Sequence, residues 1–307
     1  MPSPSRWVIG AATALVASCL AVSGTESSAF AAGCPLWTKS KVAGGYSTLE
    51  NLAFDGAGRM LLSETGALGT PGGVRTLTPT GVKGTAVPNV TSPGGLVVDG
   101  RTLYFTSGNG VLSGLFDIKD GRINKVDLDT GVVSTVATGL VMPNGMTRLP
   151  GGDLVVSRDL GKGSMTRVTP STGGATPFAP AATSTNGMAV DPVRNVLYVD
   201  STFDAKTLIS VIDLNDPTAT PRTIEIPGFG PLNSADDLTL GADGNLYVAL
   251  NVAGKVIRVN PDTGAQCTVA QGIAFVSSVR FGAGPGWDPA SLYATSFTGT
   301  VTRITPG

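Results

Sequence analysis

A chain of 307 residues with 42 glycines, 21 prolines, only 14% charged side chains and a formal net charge of −1 is rich in turns and poor in charge. It holds no histidine, which excludes Ser-His-Asp and Cys-His nucleophile systems, His-ligated zinc or iron, and any imidazole general base. The balanced charge leaves no basic footprint for a phosphate backbone, so nucleic acid is not an expected partner.

The first element in chain order reads as an address rather than part of a fold. Arg6 gives a positive start, Trp7 to Val22 is apolar, and Ala29-Phe30-Ala31 is a small-residue cleavage site. The expectation is a signal peptide over 1–31 and one secreted, extracellular domain over 32–307. Val16-Ala17-Ser18-Cys19 offers a competing reading, a lipobox that would leave Cys19 acylated at a membrane. Apolar residues continuing past Cys19 favour simple secretion. The apolar run is shorter than the ~20 residues a span needs, so no stable membrane span is expected. Beyond the signal, Cys34 and Cys267 form an even pair in an oxidising compartment. A bridge between them is expected, with two free buried thiols as the alternative.

Six copies of one phrase follow. The first runs from Glu50-Asn51-Leu52 through Asp55-Gly56 to Met60-Leu61-Leu62, and the second joins Gly94-Gly95-Leu96 to Leu103-Tyr104-Phe105. Pro143-Asn144-Gly145-Met146 leads to Leu154-Val155-Val156, and Thr185-Asn186-Gly187-Met188 to Leu197-Tyr198-Val199. Ala235-Asp236-Asp237-Leu238 leads to Leu246-Tyr247-Val248, and Ser277-Ser278-Val279 to Leu292-Tyr293-Ala294. Each copy is a short apolar strand, a turn, and a second alternating strand. Further β-type stretches, such as 121–128 and 132–136, bring most units to four strands. The apolar anchors Leu52, Leu96, Met146, Met188, Leu238 and Val279 lie 41 to 50 residues apart. Four-stranded units of that length are blades, so the expected fold is all-β: a six-bladed β-propeller around a central channel. A sandwich or solenoid is the alternative, but neither needs six near-equal copies of one phrase. A strand near 38–42 would add to the last blade beside Val301-Thr302-Arg303-Ile304.

Symmetry turns spacing into geometry, because equivalent residues of the innermost strands arrive at one height around the channel. Two residues before the anchors stand Glu50, Gly94, Asn144, Asn186, Asp236 and Ser277. Four of these carry carboxylate or amide oxygens, where packing alone favours small or apolar side chains. Converging buried anions cost several kcal/mol unless paired. A hard divalent ion resolves the conflict, calcium first because it tolerates irregular oxygen geometry, with Zn, Mn or Mg as other candidates. The competing view is that each residue caps a turn; their recurrence at one step in four repeats favours the metal.

From about Glu50 to its end, the chain resembles the senescence-marker-protein/gluconolactonase (regucalcin-like) family of six-bladed propellers. The marks are the Glu50 phrase, Pro143-Asn144-Gly145, Thr185-Asn186-Gly187-Met188 ending in Tyr198-Val199-Asp200-Ser201, and Asp236 ahead of Asp243-Gly244-Asn245-Leu246. The resemblance implies hydrolysis of sugar lactones, with organophosphates cleaved by some relatives. It implies a cation on Glu50, Asn186 and Asp236, with Asn144 touching metal or substrate, and Asp236 as the catalytic candidate that orients or deprotonates water. The sequence departs at Glu50-Asn51-Leu52, where many relatives have Glu-Gly-Pro, and at Ser277-Ser278, where others place Asn or His. Asp237 is expected to be structural. Arg148, Arg158 and Asp159 read as solvated loop charges, with binding of an acidic or polyhydroxylated substrate at the channel mouth as the alternative, and Lys39 and Lys41 as ordinary surface residues. The functional expectation is a secreted, monomeric, calcium-dependent hydrolase of lactones or related esters with a small-molecule substrate. The alternative is a non-catalytic secreted propeller that binds a sugar, peptide or cell-wall ligand around a structural calcium ion.

Overall fold

The hairpin pattern folds into six four-stranded antiparallel sheets. The computed structural model describes residues 34–66, 71–161 and 165–307, so the expected signal segment and Cys19 lie outside the described residues. Blade 1 consists of Thr48–Phe54, Met60–Thr65, Gly72–Leu77 and Lys83–Val90, ordered from the channel outwards as in the chain. Blades 2 to 5 repeat this plan from inner strands Leu96–Asp99, Met146–Arg148, Thr185–Asp191 and Ala235–Leu240. Each inner strand touches the next around the ring, and that of blade 6, Val276–Phe281, touches that of blade 1.

Closure uses both ends of the described chain. Blade 6 takes three strands from the C-terminal segment and its outer strand, Thr38–Ala43, from the N-terminal one. The expected pairing is present, with Thr38 opposite Thr305 and Lys41 opposite Thr302. Cys34 is disulfide-bonded to Cys267 with the Cα atoms 5.7 Å apart. Cys267 lies on the outer strand of blade 5, Gln266–Gln271, and Trp37 N–H donates to Val269 O at 2.8 Å. The N-terminal strand therefore ties blade 5 to blade 6. Lys39 and Lys41 are exposed, as expected.

The core is a set of seams between blades. Leu61 and Val74 of blade 1 pack with Leu96 and Phe105 of blade 2, and Tyr198 and Ile209 of blade 4 with Leu238 and Val248 of blade 5. All six anchors are buried, and full burial of such a side chain stabilises by about 1.5–3 kcal/mol. Because strand direction alternates, the loop after each second strand and the approach to each inner strand share one face of the disc. Two short helices sit there: α1 (Val111–Phe116) after the second strand of blade 2, and α2 (Gly230–Asn233) before the inner strand of blade 5. Among the described residues no helix is long and apolar enough to cross a membrane.

Candidate functional site in the propeller channel

The polar step of the repeat coincides with breaks in the inner ladders. Register shifts fall between Leu49 and Leu52, Thr185 and Met188, Ala235 and Asp237, and Val276 and Ser278. The residues in those gaps include Glu50, Asn186, Asp236 and Ser277. In blade 3 the regular ladder begins at Met146, and Asn144 precedes it with its N–H on Ser157 O at 3.1 Å. A bulge frees one residue from pairing and re-aims its side chain, which is how a period-2 strand delivers a polar group to the channel. The glycines after the two asparagines permit the close approach of neighbouring inner strands. A Cβ on Gly145 would stand 2.4 Å from Asn186 O, and one on Gly187 2.3 Å from Asp237 Cα.

The four expected residues form two hydrogen-bonded groups. Asn109 Nδ2 donates to Glu50 Oε1 and to Asn144 Oδ1, each at 3.2 Å. Asn186 Nδ2 donates to Asp236 Oδ1 at 2.9 Å and to Thr202 Oγ1 at 3.0 Å. Asn251 Nδ2 holds the other oxygen, Asp236 Oδ2, at 2.9 Å. None of the four caps a turn.

Electrostatics join the groups. Burial, then the charge of Asp159, pushes the Glu50 carboxyl up to about 8, against a hydrogen bond from Asn109. Glu50 is half-buried and keeps some accessible surface. Asp236 is held well above the ordinary carboxylate range by burial, then by the charges of Glu50 and Asp159. Asp159 rises to about 6, mainly through burial. Asp237, as expected, is structural: its carboxylate accepts from Ser278 Oγ and from the Arg280 guanidinium. Asp200 lies beyond it, raised by burial and by the charge of Asp237.

The donor set fits a hard divalent cation. Asp159 Oδ1 and Asn109 Oδ1 are buried without a hydrogen-bond partner, and Arg280 is committed to Asp237. Oxygen-only donors with excess negative charge suit a hard cation better than a soft metal. No group of three His, Cys, Asp or Glu side chains stands at metal-ligating spacing among the described residues, so two carboxylates would need amide oxygens and water to complete a shell.

The expectation for Arg158 and Asp159 is corrected. Asp159 is buried because its loop turns inward, with Ser184 Oγ donating to its carbonyl at 2.9 Å. Arg158 is also turned in: Nη2 donates to Gly114 O at 2.8 Å and Nε to Leu160 O at 2.7 Å. Arg148 lies at the far end of its strand, paired with Asp99 at 3.0 Å. Three contributors escape the sequence reading, Asn109, Thr202 and Asn251, and a fourth, Asp159, reads there as a loop charge. They follow the anchors of their blades by 13 or 14 residues, so comparing the repeats at the end of the second strand would have found them.

The chain is thus an all-β, six-bladed propeller with an acid-and-amide site in its channel. Residues 152–298 match the SMP-30/Gluconolactonase/LRE-like region, a match over just under half of the chain. The match includes Asn186 and Asp236; Glu50 and Asn144 join them through the symmetry of the ring. Similar solved structures include a gluconolactonase from Xanthomonas campestris, 15% identical with a TM-score of 0.67, covering 91% of this chain and 93% of that one. A putative gluconolactonase is 18% identical with a TM-score of 0.65, covering 90% and 93%. Virginiamycin B lyase from Staphylococcus aureus is 11% identical with a TM-score of 0.56, covering 87% and 98%. At these identities the likeness is one of fold. No curated protein matches the chain in sequence.

Proposed function

We propose that the chain is a secreted, divalent-cation-dependent hydrolase of lactones or related esters, with calcium as the resident ion. The observation that carries this reading is the pair of carboxylates on one channel step, Asp236 buried and Glu50 half-buried, neither of them ion-paired with a cationic side chain among the described residues. The gluconolactonase-like region over residues 152–298 supports the reaction class. Glu50, Asn144, Asn186 and Asp236 would hold the ion, which when bound supplies Lewis acidity toward a carbonyl oxygen.

The chain's own groups account for positioning and proton transfer. Asn186 and Asn251 fix both oxygens of Asp236, so its carboxylate cannot swing. Asp236 orients a water toward the acyl carbon and accepts its proton as the C–O bond forms. The ring C–O bond then breaks, and the proton passes to the departing alkoxide, leaving hydroxy acid and regenerated carboxylate. Asn109 keeps Glu50 and Asn144 in register beside the reacting carbonyl. Lyase chemistry is disfavoured: a catalytically inactive variant of the virginiamycin B lyase has a histidine replaced by alanine, and this chain has no histidine.

The test combines metal analysis of the purified protein with pH-stat hydrolysis of a lactone and ester panel. Activity abolished by EGTA and restored by calcium is the expected result. A calcium-loaded protein that turns over no lactone, ester or phosphotriester overturns the hydrolase reading.

A further inference from the structure

Among the described residues, most of the strongly exposed large apolar side chains lie on the site face. Val111, Leu112, Leu115 and Phe116 of α1 are 57%, 65%, 55% and 69% exposed, and Phe203 and Phe229 on the same face are 45% and 56% exposed. Large apolar groups clustered around a polar site mark a binding surface rather than ordinary scatter. The chain itself connects this surface to the site. Asn109, which holds Glu50 and Asn144, is followed by Gly110 and then α1. Thr202, which accepts from Asn186, is followed directly by Phe203.

The apolar side of α1 is held in place. Its inner side consists of Ser113 and Gly114, both buried. A Cβ on Gly114 would stand 2.3 Å from Met142 Sδ and 2.9 Å from Leu160 Cβ, so only glycine lets the helix lie this close to blade 3. The Arg158 guanidinium fastens Gly114 O and Asp117, and Ser113 Oγ donates to Asp120 at 2.9 Å. The outward side chains therefore form a fixed apolar wall on the site face, directly after Asn109 in the chain.

We infer that the substrate of this site is amphiphilic: a lactone or ester whose polar head enters the channel while an alkyl chain or ring lies along α1. This inference rests on the hydrolase reading for the reacting end and names the class of group at the other. Asp117 is paired with Arg158, and Lys119 stands beside Asp120, so the border of this surface has no cationic surplus for an anionic lipid surface and suits an uncharged small molecule. Leu112 and Phe116 are the specificity-determining residues it identifies.

The test is a series of γ-lactones with substituents from methyl to octyl, run with the calcium-loaded full chain and with the Leu112→Ser/Phe116→Ser variant. The wild-type kcat/KM should rise about twofold per methylene, half the factor of a fully buried CH₂, because one side of the chain stays wet. The variant should lose that slope while keeping the wild-type melting temperature. A flat wild-type series, or a slope unchanged in the variant, overturns the inference. If no lactone is turned over, the hydrolase reading fails separately, and calorimetric titration with non-hydrolysable γ-lactams of the same lengths decides the point. Affinity rising with length and flattened in the variant upholds the apolar wall; length-independent binding removes it. Co-sedimentation with neutral phosphatidylcholine vesicles, lost in the variant and accompanied by a flat series, would assign the wall to a lipid surface instead.

Discussion

Without an ion, the channel should make the folded chain less stable as pH rises. Glu50 has an ordinary value of 4.5 and is pushed up to about 8 in the folded chain. Between those values the folded state keeps a proton that the unfolded state releases, so raising the pH favours unfolding. One such group contributes a slope of about 1.4 kcal/mol per pH unit, and at most about 5 kcal/mol over the whole window. That amount is between about a third and all of a domain's net stability of ~5–15 kcal/mol. Asp159, raised to about 6, adds to the slope in the lower part of the window.

The assay is urea unfolding in EGTA, followed by tryptophan fluorescence with the disulfide intact, from pH 5 to pH 8. Wild-type stability should fall across that range. Glu50→Gln removes the titrating group while keeping shape and an acceptor oxygen for Asn109, so this variant should be the more stable chain at pH 8 and close to wild type at pH 5. Excess calcium should reverse the ranking at pH 8, since the wild type gains binding energy and the variant lacks a ligand charge. Ion-free stability that rises from pH 5 to 8, or a Glu50→Gln effect independent of pH, would refute the reasoning.

Three further outcomes are expected. Asp236→Asn should retain the fold and the circular-dichroism spectrum, yet lose calcium-dependent thermal stabilisation and reduce hydrolysis by at least ~10²-fold, the usual scale of a lost acid-base group, read by thermal shift and pH-stat. Replacing Cys34 and Cys267 together by serine opens a closure of 233 residues and should lower stability by up to about 5 kcal/mol in the loop-entropy model, measured as a shift in urea midpoint. Gly187→Ala drives a Cβ against Asp237 Cα at 2.3 Å. It should cost at least the ~1–3 kcal/mol of ordinary overpacking and weaken calcium binding, whereas Gly131→Ala, which meets no neighbour within 4 Å but has φ of 74°, should leave calcium affinity unchanged.

The blades were legible because each anchor from Leu52 to Val279 stands in the same relation to a turn and a second strand. The bulges were not, since alternation of apolar and polar residues has no mark for one extra residue. Glu50-Asn51 reads as two steps of an ordinary strand. The inner ring of acids and amides was visible by counting back from the anchors. Asn109, Thr202 and Asn251 were hidden because asparagine and threonine after a strand usually complete a turn, and only the closed ring turns them inward. Helix α1 was missed for a related reason: six residues, apolar on the exposed side, present no amphipathic period to read.

Ser277 and Ser278 show how a departure in sequence can leave a site intact. Ser277 stands on the ligand step, but its hydroxyl donates to Leu49 O at 2.6 Å and lies 3.0 Å from Thr295 Oγ1. Ser278 Oγ is bound to Asp237. Neither hydroxyl has to serve the channel, and each stitches one seam: Ser277 joins blade 6 to blade 1 beside Glu50, and Ser278 joins blade 6 to blade 5 beside Asp236. The two carboxylates come from blades 1 and 5, which closure of the ring brings to either side of blade 6, and the charge of Glu50 raises Asp236. At this step the two serine hydroxyls tie neighbouring blades together beside each acid, one through the backbone carbonyl of Leu49 and the other through the Asp237 carboxylate.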